Sequence, residues 1–255
     1  MFFILGPCVI ESADHAVRMA SRISRICAGL HAPFIFKASF DKANRLSMDS
    51  FRGPGLETGM RILSDIKAEV GCRVTSDIHE VWQAELAGKV LDVIQIPALL
   101  CRQTDLVVAA AKTGRTVNIK KGQFMAPEDM AHIVNKARRA GAEEIWVTER
   151  GTSFGYRDLI LDMRSIPVMQ KATMRPVIVD VSHAVQSPGG ANGKSTGRAD
   201  LIPTLARAAT AAGADGVFIE VHDNPAEARS DSGNSLPLGE LQGLLQSILR
   251  IKGSI

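Results

Sequence analysis

Short apolar runs rich in β-branched residues alternate with amphipathic stretches from one end of the chain to the other. That alternation narrows the possible folds more than any other feature. The strand-like runs are 2–7 (FFILGP), 34–39 (FIFKAS), 73–78 (RVTSDI), 92–97 (DVIQIP), 116–120 (TVNIK), 144–149 (EIWVTE), 176–182 (PVIVDVS) and 216–221 (GVFIEV). Helix-like segments lie between them at 14–29, 56–70, 80–87, 103–112, 127–140, 157–163, 200–212 and 238–251. Pro127-Glu-Asp opens the fifth helix with carboxylates in its first turn, and Ala140-Gly141 closes it. Asp200 is a candidate N-cap for the seventh, with Gly213 as its stop. Eight such pairs, at about 32 residues each, predict an α/β chain folded as a single (β/α)8 TIM barrel. The runs are nearly continuous in apolar residues, as parallel strands covered on both faces are. An open doubly wound sheet is the rival, but no GxGxxG follows the first run.

No composition break divides residues 1–255, so one domain is expected. The Gly/Ser-rich stretch 187–198 falls between the seventh strand and seventh helix, where it reads as a long loop rather than a linker. With 30 Lys plus Arg against 27 Asp plus Glu and 5% aromatics, the chain has neither the basic face nor the stacking surface of a nucleic-acid binder. The apolar start MFFILGPCVI lacks a basic flank and meets Gly-Pro after five residues, so neither a signal peptide nor a membrane span is expected there. Cys8, Cys27, Cys72 and Cys101 form no CxxC pair and read as reduced thiols, so a cytoplasmic protein is expected. His15, His31 and His132, on or beside helices, read as surface residues.

In this architecture chemistry gathers where strands end. Lys37, Lys42, Arg45, Arg102, Lys120 and Arg150 all follow or terminate strand-like runs. Like charges drawn to one mouth are costly without an anionic ligand, so the cluster points to a ligand carrying several anionic groups. A second set, Cys8, His183 and Glu220, ends strands one, seven and eight, which a closed barrel makes neighbours; Asp231 follows strand eight. Thiol, imidazole and carboxylates together suit a divalent transition metal such as Fe²⁺, Zn²⁺, Mn²⁺ or Co²⁺. Spacing alone leaves three other readings open: a buried inert Cys8, a general-base His183 and an N-capping Asp231.

The segments GPCVIES (6–12), FKASFDKANR (36–45), SFRGPGLE (50–57), TSDIHE (75–80), IQIPALLCRQTDL (94–106), NIKKGQF (118–124), TERGTSFGY (148–156), VDVSHAVQSPGG (179–190) and SDSGNSLPL (230–238) closely resemble the 3-deoxy-D-manno-octulosonate 8-phosphate synthase family. The resemblance implies condensation of phosphoenolpyruvate with D-arabinose 5-phosphate and water, within lipopolysaccharide biosynthesis. It implies that Lys120, Arg150 and the backbone at Ala98 take the phosphoenolpyruvate phosphate. Lys37, Ser39, Lys42 and Gln95 would then take its carboxylate and enol. Asn44 and Arg45 would meet the aldose phosphate, with Arg102 reaching it from an adjacent subunit of a homotetramer. Family members often read KANRSS where this chain has Leu46, so one hydroxyl contact is lost or passes to Ser47. Cys8, where a metal-free branch carries asparagine, implies the metal-requiring branch, with Cys8, His183, Glu220 and Asp231 as ligands. His183, Asp231 and Lys42 become the catalytic candidates, and the loop 184–199 is expected to close over the substrates. A sister family acting on erythrose 4-phosphate shares the barrel and metal set, but carries a KPRTS-like stretch in place of KANRLS.

Overall fold

The computed structural model describes residues 1–191 and 194–255. Eight parallel strands close on themselves: β1 (Phe2–Gly6), β2 (Phe34–Lys37), β3 (Arg73–Asp77), β4 (Val93–Ile96), β5 (Thr116–Lys120), β6 (Ile145–Glu149), β7 (Val177–Asp180) and β8 (Gly216–His222). Each pairs with the next, and β1 pairs with β8 from Phe2↔Gly216 to Gly6↔Glu220. The helices are α1 (Ala13–Gly29), α2 (Leu56–Val70), α3 (Gln83–Val90), α4 (Thr104–Ala111), α5 (Met130–Arg139), α6 (Ser165–Thr173), α7 (Ile202–Ala211) and α8 (Leu238–Lys252). The expected single (β/α)8 barrel is therefore what the chain forms.

The period of two in a strand sorts its side chains between lumen and helix layer. Ile4, Ile35, Val93, Trp146, Ile178 and Phe218 pack together as a lumen cluster. Their alternates, among them Leu5, Phe36, Ile94, Val147, Val179 and Ile219, join the larger core beneath the helices. Two residues further along the same inner face stand Lys37, Gln95, Asp180 and Glu220, so the polar layer lies directly on the apolar one.

Gly6 makes the approach of β1 to β2 possible. Its φ is +154°, and a Cβ there would stand 2.0 Å from the Lys37 carbonyl oxygen. Gly6→Ala is expected to cost about 3 kcal/mol or more of folding free energy, because backbone rather than a flexible side chain must yield. A urea denaturation midpoint within error of the parent would show that the strands can part cheaply.

Three expectations need correction. The sixth helix is Ser165–Thr173 and not 157–163; there, Leu159–Ile160 pairs with Thr152–Ser153 in a small antiparallel hairpin. Pro167 sits in the first turn of α6, where its missing N–H breaks no helical bond. Asp200 does not cap the seventh helix: it lies in the preceding 3₁₀ turn and pairs with Arg198. His15 is buried, not at the surface, on the α1 stripe shared with Met19, Ile23 and Cys27.

The stretch after β7 contains an antiparallel pair, Gln186–Ala191 with Lys194–Gly197. The expected closure of 184–199 falls in part on Asn192 and Gly193, which lie outside the described residues. No helix among the described residues is long and apolar enough to cross a membrane.

Candidate active site

At the C-terminal rim, β1, β7 and β8 are consecutive neighbours around the barrel, with β2 on the other side of β1. Cys8, just past β1, is buried, and its Sγ lies within hydrogen-bond distance of Asp231 Oδ2 at 2.9 Å and of Ser230 Oγ at 3.0 Å. Donor atoms of Cys8, Glu220 and Asp231 all lie within 4.8 Å of one another. His183 joins through the carboxylates, its Nε2 standing 3.5 Å from Glu220 Oε1 and 3.8 Å from Asp231 Oδ2. Residues 223 positions apart thus meet because the barrel closes.

Asp231 reaches inward from a left-handed backbone, φ 52°, where asparagine and aspartate are tolerated better than most residues. Its Oδ1 accepts from Gln186 Nε2 at 2.9 Å, which ties the hairpin root to this loop. Burial alone would raise the Asp231 carboxyl, but Lys42 and His183 outweigh it and lower its pKa to about 2. Burial, followed by the charges of Asp231 and Glu220, pushes the Cys8 thiol well above its ordinary value. A cation would reverse that balance by favouring thiolate. Glu220 Oε2, buried, has no hydrogen-bond partner among the described residues. Such an orphaned oxygen beside a thiol, an imidazole and a second carboxylate fits a transition-metal ion.

The cations line the adjoining wall. Lys37 Nζ donates to Glu220 Oε1 at 3.2 Å and to the Cys8 carbonyl at 2.9 Å. Lys120 Nζ bonds Asp180 Oδ2 and lies 3.9 Å from the centroid of the Phe218 ring. Burial pulls the Lys120 pKa down, and Lys37 adds to that, against the pull of Asp180. Arg150 donates from Nη2 to Gln186 Oε1 at 3.2 Å, while its buried Nη1 has no partner among the described residues. Gln95 Oε1 is likewise buried and unpartnered among them. Lys42 Nζ approaches Ser39 Oγ at 3.4 Å, and Ser39 donates to Asp77 Oδ1 at 2.5 Å. Burial lowers the Lys42 pKa, but Cys8, Glu220, Asp77 and Asp231 outweigh it and keep the ammonium charged. Ala98, buried, opens the turn after β4.

The remaining predicted residues lie further out. Asn44 is exposed, and Arg45 is half-buried with donors to the Phe51 and Arg229 carbonyls. Leu46 and Ser47 are both exposed. Arg102 is exposed, and its side chain makes no hydrogen bond among the described residues, so the chain's own fold does not bring it to this cluster.

Asp180 ends the seventh strand, and the sequence alone assigns it no role. Its Oδ2 meets both Lys120 Nζ and His183 Nδ1, the latter at 2.7 Å, and its Oδ1 accepts from the His183 backbone N–H at 2.9 Å. Burial raises this carboxyl, yet His183 and Lys120 outweigh it and hold it well below the usual range. Anchoring Nδ1 leaves Nε2 facing Glu220 and Asp231, the arrangement by which a carboxylate orients a ligating histidine. The signal was available: Asp180 follows inward-facing Ile178 by two residues and precedes His183 by three.

A sequence model of the DAHP synthetase I family matches residues 1–252. The chain is 54% identical over 258 residues to a 2-dehydro-3-deoxyphosphooctonate aldolase of Koribacter versatilis, covering 100% of this chain and 92% of that protein. Proteins of the same name from a Synechococcus species and from Trichlorobacter lovleyi are 52% and 54% identical, over 98% and 97% of this chain and 88% and 91% of theirs.

Proposed function

The chain belongs to the DAHP synthetase I family, and from that premise we propose that it condenses phosphoenolpyruvate with D-arabinose 5-phosphate and water. The products are 3-deoxy-D-manno-octulosonate 8-phosphate and inorganic phosphate. The relatives are named 2-dehydro-3-deoxyphosphooctonate aldolases, which supports this reading; the step is then an aldol-type transfer that serves lipopolysaccharide biosynthesis. The observation that carries this reading is the set of buried, inward-facing Lys37, Lys120 and Arg150, with a buried Arg150 nitrogen lacking any partner among the described residues. Buried cations with unused donors are stabilised by an anionic ligand, and phosphoenolpyruvate brings both a phosphate and a carboxylate.

Lys120 and Arg150, with the backbone at Ala98, bind the phosphate of phosphoenolpyruvate. Lys37, Ser39, Lys42 and Gln95 hold its carboxylate and enol end. Asn44 and Arg45 receive the aldose phosphate further out, and Arg102 reaches that phosphate in a neighbouring subunit of a homotetramer. The exposure of Arg102 and of Leu99 supports that last assignment. With C3 of the enol held against the aldehyde, the C3–C1 bond forms and water adds its oxygen to C2. The aldehyde oxygen takes one proton, and as phosphate leaves by cleavage of the C2–O bond the new C2 hydroxyl gives up its proton to the departing phosphate and becomes the ketone. His183, whose Nδ1 is held by Asp180, and Asp231, which Lys42 and His183 keep ionised, are the candidates for proton handling near the attacking water. Lys42, kept charged, is the third candidate, as a proton donor.

Cys8, His183, Glu220 and Asp231 would hold one divalent transition ion (Fe, Zn, Mn or Co). When bound, such an ion supplies orientation and modest polarisation of the carbonyl or water. Two phosphorylated metabolites as substrates support a cytoplasmic setting.

Phosphate release from phosphoenolpyruvate, measured separately with arabinose 5-phosphate and erythrose 4-phosphate, tests the proposal. Turnover is expected with the five-carbon aldose and at least about 100-fold less with the four-carbon one, because an aldose phosphate held too short forfeits its charge-assisted contacts. Preference for erythrose 4-phosphate would move the chain to the seven-carbon reaction, and no release with either would make it a sugar-phosphate-binding barrel.

A further inference from the structure

Beside the rim, the exit of β1, the first turn of α1 and the exit of β8 bring a second donor group together. One carboxylate oxygen of Glu11 and one ring nitrogen each of His15 and His222 lie within 4.8 Å of one another. We propose that Glu11, His15 and His222 form a second divalent transition-metal site, built from nitrogen and oxygen donors and sharing no residue with the Cys8 group.

The spacing suits an ion. His222 Nε2 is 3.3 Å from Glu11 Oε1, and the edge of a tetrahedron around an ion with bonds near 2.1 Å is about 3.4 Å. His15 Nε2 lies 3.0 Å from Asp223 Oδ1, so a carboxylate already holds one ring nitrogen, as outer carboxylates do for ligating histidines. The other nitrogen, His15 Nδ1, is buried without a partner among the described residues, in a residue only 7% exposed. The two imidazoles stand 4.7 Å apart between centroids, inclined at 37°. With Asp223 holding His15 Nε2–H, the buried Nδ1 presents a lone pair that a cation would engage. His222 Nδ1 accepts from the Asn224 backbone N–H at 3.0 Å and lies 3.4 Å from Asp223 Oδ1, so ligation through Nε2 moves the ring proton to Nδ1, where that carboxylate takes it.

The donor chemistry selects the ligand class. Two borderline imidazoles and one hard carboxylate favour Zn²⁺, Co²⁺ or Ni²⁺ over Mg²⁺ or Ca²⁺. An ion there would also have a structural role, because Glu11 Oε1 accepts from the Arg229 backbone N–H at 2.9 Å. Arg229 precedes Ser230 and Asp231, so an ion at Glu11 would fasten the root of the loop that delivers Asp231 to the rim.

Metal counting on the full chain tests this. Protein stripped with chelator, reloaded with Co²⁺ or Zn²⁺ and freed of excess metal should retain two equivalents by elemental analysis. Cys8→Ser should retain one. His15→Ala and the near-isosteric Glu11→Gln should each retain one, with the thiolate-to-Co²⁺ charge-transfer band intact. Far-UV circular dichroism checks that each variant is folded. A single equivalent in the parent, lost in Cys8→Ser and unaffected by His15→Ala or Glu11→Gln, overturns the second site. A single equivalent that survives Cys8→Ser but vanishes in both other variants supports it while removing the Cys8 site.

Discussion

Lys120→Ala is expected to lower kcat/KM for phosphoenolpyruvate by about 30-fold to several thousand-fold, the equivalent of roughly 2–5 kcal/mol for a buried charge partner. The ammonium is buried, with Asp180 on one side and the Phe218 ring on another, so its loss leaves the phosphate without a charged partner at that point and Asp180 without its cation. Arg150→Ala should act in the same range, because its unpartnered Nη1 and its Nη2 belong to the same wall. Arg150→Lys should recover only part of the loss, since an ammonium cannot present the two parallel donors of a guanidinium. Initial rates over a range of phosphoenolpyruvate concentrations, with thermal unfolding run alongside, are the measurement. Unchanged KM and kcat in both alanine variants would remove these residues from the site and leave the anion reading without support.

The second large effect is expected from chelation. Removing divalent transition metal should abolish activity, and adding Zn²⁺, Mn²⁺, Fe²⁺ or Co²⁺ should restore it where Ca²⁺ does not. Glu220 Oε2 is orphaned among the described residues, and burial and two carboxylates disfavour the thiolate form of Cys8. Both groups are better accommodated with a cation than without one. Cys8→Asn should bind metal more weakly, yet it retains turnover if the remaining side chains can position water themselves. Full activity in chelator would refute the requirement, and unchanged metal content in purified Cys8→Asn would remove Cys8 as a ligand.

Much of the architecture is legible in the residue order. The period of the apolar runs carries the barrel because a strand covered on both faces has nowhere to place polar side chains except its ends. The same rule locates Lys37, Gln95, Lys120 and Glu220. It fails where local signals compete. Pro167 hides α6 because it occupies a turn in which its defect is harmless. His15 reads as a surface residue although it falls four positions before Met19 on the apolar stripe of α1, since histidine's polarity outweighs its place in the pattern. Asp180 is visible as a strand end but receives no role, because nothing in its neighbourhood tells that Lys120, 60 residues away, will share its carboxylate with His183.

Periodicity and residue type therefore determined the architecture and the charge at the strand tips, and the motif segments carried the resemblance to the family. Closure of β1 against β8 decided the rest. Which cation meets which carboxylate, which oxygen stays orphaned and which thiol lies beside Asp231 all depend on contacts between residues up to 223 positions apart. Hydrogen bonds and Coulombic forces act over a few ångströms, whereas sequence order constrains only near neighbours along the chain.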